Sequence, residues 1–334
     1  MRLKQKIYCR HDFVDTIIAN RKTSRPCMMA YKIMLLLGDL YIDLSKEEIE
    51  KKIRETDFFR SINKTSRGIH PAIGWEKDII LNNTADELYF IKPNDIENYK
   101  NLRNSLGCLI VACDDDINYL ERISRECNFS LIPLNKRLDF ETNYKNSWSD
   151  VINSTKVEPI NAAIITDNYL FNDKFDSRKY YSLFDILKSL IPQSLNTDFH
   201  LTIFYCNEDA KFTKVKANSI IKEIRELNLC KDMKVTIVSH KIKSTTHDRK
   251  ILTNYHYIES GVGINNISKR GIEELATGHI SSVFQSIDAI SGHESKKHLY
   301  DYTQDWLKDI KDNHIDNTDF FFIAGDNINR LLDK

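Results

Sequence analysis

Apolar positions along this chain fall into two alternating patterns. Short apolar runs bounded by polar or turn-forming residues have the length and content of buried strands. In the first half they are Lys6 to Cys9, Leu40 to Leu44, Glu87 to Lys92, Cys108 to Cys113 and Phe129 to Leu134; in the second they are Ala162 to Thr166, Leu201 to Cys206 and Lys234 to Ser239. Longer segments with amphipathic spacing predict helices over Tyr180 to Leu190, Val215 to Leu227 and Ser295 to Lys311. Ser45, followed by Glu48, makes a capping box that starts a charged helix running to Glu55. Another helix is expected after Asp114, Asp115 and Asp116, because carboxylates at a helix start satisfy orphan N–H groups and favour the dipole. Strand–helix–strand order with short connectors predicts parallel sheets covered on both faces. A polar stretch from Asp139 to Glu158 interrupts the alternation and predicts a boundary. The expected organisation is an α/β domain over residues 1–140, a linker over 141–158 and a second α/β domain over 159–334.

Composition narrows this picture. A length of 334 residues suits two domains. Ten glycines and six prolines are too few for the many turns of an all-β sandwich. Forty-eight basic residues against forty-eight acidic ones exclude a polybasic nucleic-acid binder and an acidic solvating chain. Neutrality conceals one local excess. From Lys231 to Lys250 six basic residues (Lys231, Lys234, Lys241, Lys243, Arg249, Lys250) meet two acids, Asp232 and Asp248. The seven cysteines (Cys9, Cys27, Cys108, Cys113, Cys127, Cys206, Cys230) are odd in number and form no C-x-x-C pair. They read as reduced thiols of a cytoplasmic protein, without a zinc site. No apolar run approaches the roughly 20 residues that span a bilayer, and the N-terminus has no signal-peptide pattern, so no transmembrane segment is expected.

The most informative string is His247-Asp248-Arg249-Lys250-Ile251-Leu252-Thr253-Asn254, followed by Ile258, Gly261 and Gly263. Its spacing resembles the phospholipase D superfamily pattern H-x-K-x4-D-x6-G, with His247 and Gly261 in register, Arg249 in the lysine position and Asn254 in the aspartate position. The resemblance implies a histidine nucleophile that forms a phospho-histidine and a basic clamp on the phosphoryl oxygens. It thereby assigns His247, Arg249 and Asn254 as candidate catalytic residues. Arginine is a bidentate phosphate ligand not equivalent to lysine, and an asparagine removes the acid, so the departures favour phosphate binding over catalysis. The string is closer to the phospholipase D-like C-terminal domain of MIT-domain proteins. That likeness rests on His247, Asp248, Arg249, Ile251, Asn254, Ile258, Gly261 and Gly263, and it implies a homodimer that binds lipid headgroups without hydrolysis. Relatives of this domain in bacterial mobile defence loci imply defence-system partner proteins and a role against phage. The expected ligand is nucleic acid or another phosphorylated molecule, bound by His247, Arg249, Lys250, Gly261, Gly263 and Asp167, the last at a strand end where parallel sheets collect functional groups. The same residues also suit a plain β-hairpin, with Asp248 and Arg249 ion-paired and the two glycines serving a bulge or turn. Metal-independent hydrolysis needs a second histidine, either His200 or, across a two-fold axis, a second His247.

The first half resembles a PIN-like nuclease or another Rossmann-type domain. PIN-like domains hold Mg²⁺ or Mn²⁺ on acidic residues at strand ends, where the metal activates water. The candidates are Asp12, Asp114 and Asp116, with Asp15, Asp39, Asp43 and Asp115 nearby in sequence. Arg10 stands where the first family aspartate is expected. A metal-dependent nuclease in this half and a metal-independent one at His247 are the two alternatives to a binding protein.

Overall fold

A computed structural model describes the chain except for residues 1–4, 37, 65–67, 78–87, 92–97, 113–116, 125, 137–143, 156–158, 172–179, 209, 243–248, 262, 269–270, 285–295 and 334; structural statements concern the described residues. In chain order the first elements are β1 (Gln5–Cys9), α1 (His11–Asn20), α2 (Arg25–Leu36), β2 (Gly38–Ile42), α3 (Lys46–Glu55), α4 (Asp57–Asn63), β3 (Ile69–Pro71), β4 (Leu88–Ile91), α5 (Tyr99–Leu106), β5 (Leu109–Ala112) and α6 (Ile117–Ile123). Strands β1 to β5 form one sheet of order β3-β2-β1-β4-β5, parallel throughout. Both faces are covered, so β4 and β5 are buried at every position and read as continuous apolar runs rather than alternating ones. The Ser45–Glu48 capping box starts α3, as the sequence predicts.

The chain continues through β6 (Cys127–Leu131), β7 (Tyr144–Lys145), α7 (Trp148–Thr155), β8 (Ala162–Thr166), α8 (Tyr181–Leu190), β9 (Phe199–Cys206), α9 (Lys214–Glu226), β10 (Met233–His240), β11 (Arg249–Thr253), β12 (His256–Ser260), β13 (Ile267–Ser268), β14 (Gly271–Ile272), β15 (Ala276–Ser282), α10 (Lys296–Asn313) and β16 (Phe322–Gly325). A nine-stranded sheet runs β16-β10-β9-β8-β11-β12-β15-β6-β7. Strands β8, β9 and β10 are parallel, as the alternation predicts. The rest of the sheet is mixed: β11, β12, β15 and β6 join by successive antiparallel pairings, and β16 closes the other edge antiparallel to β10.

Two expectations are corrected. The strand predicted at Phe129 to Leu134 is β6, and it pairs with β15 in the second sheet rather than with the first. The polar stretch over 141–158 is not a bare linker. It carries β7 and α7, and the fully buried Trp148 indole donates to the Ile264 carbonyl and to Asn266 Oδ1, both at 3.0 Å.

One hydrophobic cluster joins the sheets. It contains Ile7, Leu40, Phe90 and Val111 of the first sheet, Ile164, Phe204, Val238 and Leu252 of the second, Phe13 and Ile33 of α1 and α2, and Leu307 and Ile310 of α10. Backbone carbonyls left open at the end of α5 are filled from the second half, with Asn161 Nδ2 donating to Leu106 O at 2.9 Å and Asn196 N to Ser105 O at 2.8 Å. Gly107 ends α5 at φ 64°, and a Cβ there would meet the Ile160 carbonyl oxygen at 2.4 Å, so both backbone conformation and close approach require glycine.

Candidate functional site

The parallel strands β8, β9 and β10 end at Thr166, Cys206 and His240. Because β11 runs antiparallel to β8 with Lys250 opposite Thr166, Arg249 falls just past the end of β8, level with Asp167. Asp167 is fully buried and ties two loops together. Its Oδ1 accepts the Tyr169 N–H at 2.8 Å, and its Oδ2 accepts the Ile264 N–H at 2.6 Å. Burial raises the Asp167 carboxyl above its ordinary range, an effect that these two amides and the Arg249 charge only partly offset.

Arg249 lies over the Tyr169 ring, its guanidinium carbon 5.2 Å from the ring centre. Of a guanidinium's five N–H donors, one reaches the Gly261 carbonyl at a long 3.4 Å, while the buried Nε has no hydrogen-bond partner among the described residues. Neighbouring Asn168, 6% exposed, has an Oδ1 that is likewise unsatisfied. Neither Gly261 nor Gly263 is held in the left-handed region, and a Cβ on either would meet only ordinary contacts, the nearest being Thr277 O at 3.6 Å and Asp167 Oδ2 at 3.7 Å. Packing among the described residues therefore does not demand these glycines.

Two predicted site residues lie elsewhere. Lys250 follows Arg249 on a strand, so its side chain leaves the opposite face. Its Nζ sits 6.0 Å from the Tyr257 ring, and its N–H donates to Thr166 Oγ1. Arg249 and Lys250 therefore do not form one clamp. Asn254 is in the β11–β12 turn, at the far end of β11 from Arg249. Its Oδ1 accepts the Asn161 and Ala162 N–H groups, each at 3.0 Å, and its Nδ2 donates to Asn161 Oδ1 at 2.9 Å. That geometry argues against a catalytic part for Asn254, because its polar atoms are committed to holding the start of β8. His247 and Asp248 lie outside the described residues. The hairpin expected as an alternative is present, with Arg249 at its open end.

His200 occupies the opposite, amino end of the sheet. Its Nε2 donates to Asp198 at 2.7 Å, and its Nδ1 accepts the Arg330 N–H at 3.0 Å. Burial alone would raise Asp198, but the His200 hydrogen bond and the Arg330 guanidinium outweigh it and hold the carboxyl below its ordinary range. The basic run over 231–250 is likewise divided between the two ends. Lys234 pairs with Asp232 at 2.8 Å where β10 begins, while Lys241 lies over the Phe320 ring where β10 stops.

At the carboxyl edge of the first sheet, carboxylates and a guanidinium face one another. Arg10 bridges Asp43 at 3.2 Å and Glu76 at 2.7 Å. Asp43 also accepts from the His11 backbone N–H at 2.6 Å and from His11 Nδ1 at 3.0 Å. Asp39 accepts the Gly68 N–H at 2.7 Å, and Asp15 pairs with Lys52 at 3.0 Å. Among the described residues no three His, Cys, Asp or Glu side chains are spaced to hold a metal. Asp12 lies in the first turn of α1, whereas Asp114 and Asp116, its expected partners for Mg²⁺ or Mn²⁺, lie outside the described residues. No described helix is long and apolar enough to cross a membrane. The six described cysteines are free thiols.

No family model matches this chain, and no curated protein matches it.

Proposed function

We propose that this protein binds a phosphodiester or phosphorylated ligand, nucleic acid foremost, at the carboxyl edge of β8, with Arg249 as the anion contact. The observation that carries this reading is the state of Arg249. Its guanidinium is seated on Tyr169 and spends one long hydrogen bond on Gly261, leaving further donors without a partner among the described residues. Arginine's planar fork matches phosphate oxygens in pairs. Asp167 acts behind it, fixing the Tyr169 and Ile264 loops that frame the cation. This is a binding site rather than a hydrolytic centre, since the motif position that the phospholipase D pattern makes acidic is a turn-building asparagine here. The resemblance in the sequence and the geometry at Arg249 support the same ligand chemistry.

The test is equilibrium binding of a fluorescein-labelled single-stranded oligonucleotide followed by anisotropy. Arg249→Ala is expected to weaken binding about tenfold or more, the loss of a charge-assisted contact of roughly 1.5–3 kcal/mol. Lys250→Ala, on the opposite face, is expected to change affinity less. Equal affinity of the wild type and Arg249→Ala would refute the proposal.

A further inference from the structure

Tyr169 is the one aromatic side chain in the described site, and it combines two properties. At 37% exposure it is among the few large hydrophobic residues of the described chain left open to solvent. It is also engaged: its backbone N–H is held by the buried Asp167 carboxylate, and the Arg249 guanidinium lies over its ring. An exposed aromatic ring next to a cation with unspent donors offers two contacts with different chemistry: the cation takes an anionic oxygen, and the ring takes a planar π-system.

We infer that the ligand is single-stranded nucleic acid, with one unstacked base placed on Tyr169 while the adjoining phosphate meets Arg249. This rests on the anion site proposed above and specifies what occupies it. Inorganic phosphate and lipid headgroups would satisfy Arg249 and leave Tyr169 unused. A duplex would first have to unstack a base to reach the ring, whereas a single strand presents its bases without that cost.

The experiment compares two labelled ligands of equal length, oligothymidylate and an abasic deoxyribose-phosphate strand, with the duplex as a third arm. The wild type is expected to prefer oligothymidylate over the abasic strand by roughly fivefold or more, the range of one base–aromatic stack, and to bind the duplex more weakly than the single strand. Tyr169→Phe keeps that ratio. Tyr169→Leu and Tyr169→Ala bring it close to one, which separates base stacking from any general loosening of Arg249, since loosening weakens both ligands alike. Arg249→Ala lowers both affinities. An abasic strand bound as tightly as oligothymidylate by the wild type, or an unchanged ratio in Tyr169→Leu while Arg249→Ala still weakens both, would overturn this inference alone. Arg249→Ala leaving both affinities unchanged would overturn the anion site and this inference with it.

Discussion

At the scale of single residues, neighbours in sequence part company in space. Arg249 and Lys250 read as one basic pair in the motif, yet on β11 they leave opposite faces, and only Arg249 shares the carboxyl edge with Asp167. Asp167 was legible because it follows an apolar strand. Tyr169 was not, because its partnership with Arg249 depends on the β8–β11 register, which no local pattern encodes. Asn254 shows the reverse case. It occupies a motif position, but its carboxamide is spent on three hydrogen bonds to Asn161 and Ala162. Asn254→Ala leaves two buried backbone donors unmet and is expected to cost about 2–4 kcal/mol in urea unfolding. Asn254→Asp, the acid of the phospholipase D pattern, also destabilises because its oxygens oppose Asn161 Oδ1. A stable Asn254→Asp protein would contradict this account of the turn.

At the scale of elements, apolar content rather than length decided what was readable: the four-residue β4 and β5 stood out, whereas α1, α2 and the seven-residue β15 did not. The strands β4, β5, β8 and β9 are buried at every position, so their composition alone announces them. The stretch over 141–158 looked like a linker because α7 is short and rich in Asn and Ser, and β7 has only two residues. What the pattern underweighted is Trp148, which with Val151 and Ile152 joins a second hydrophobic cluster that includes Phe129, Ile165 and Leu187. Trp148→Ala removes that side chain and two indole hydrogen bonds. It is expected to lower stability by about 3–5 kcal/mol, read as a fall in thermal midpoint, whereas a true linker would tolerate it. The strand β6 was found in sequence but assigned to the wrong sheet. Its antiparallel partner β15 lies well over a hundred residues later, and apolar content says nothing about which edge a strand will join.

At the scale of the whole molecule, the two sheets share one of the hydrophobic clusters and are joined by polar contacts that the sequence did not reveal. One of these is His256, whose Nε2–H donates to the Ile123 carbonyl at the end of α6. Burial pushes its imidazole down to about 4, and that of buried His240 to about 4 as well, from 6.5. Folded pKa values below the unfolded one mean that the unfolded chain takes up protons first, so stability is full above about 6.5 and falls as pH drops toward 4, by roughly 3 kcal/mol per histidine at most. His256→Gln keeps a donor without the ionisation and is expected to flatten that acid-side slope in urea titrations; an unchanged slope would contradict the linkage. Whole-molecule charge bears on the site too. With 48 basic and 48 acidic residues, the chain carries no net positive charge to drive binding, so ligand affinity is expected to rest on few phosphate contacts. The most direct test is therefore the dependence of oligonucleotide affinity on salt in the wild type and in Arg249→Ala. The wild type should show a shallow log–log slope, and the variant should be weaker with a slope reduced by about 0.7, one single-strand phosphate contact. Identical affinities and slopes in the two proteins would contradict the assignment of Arg249 as the anion contact.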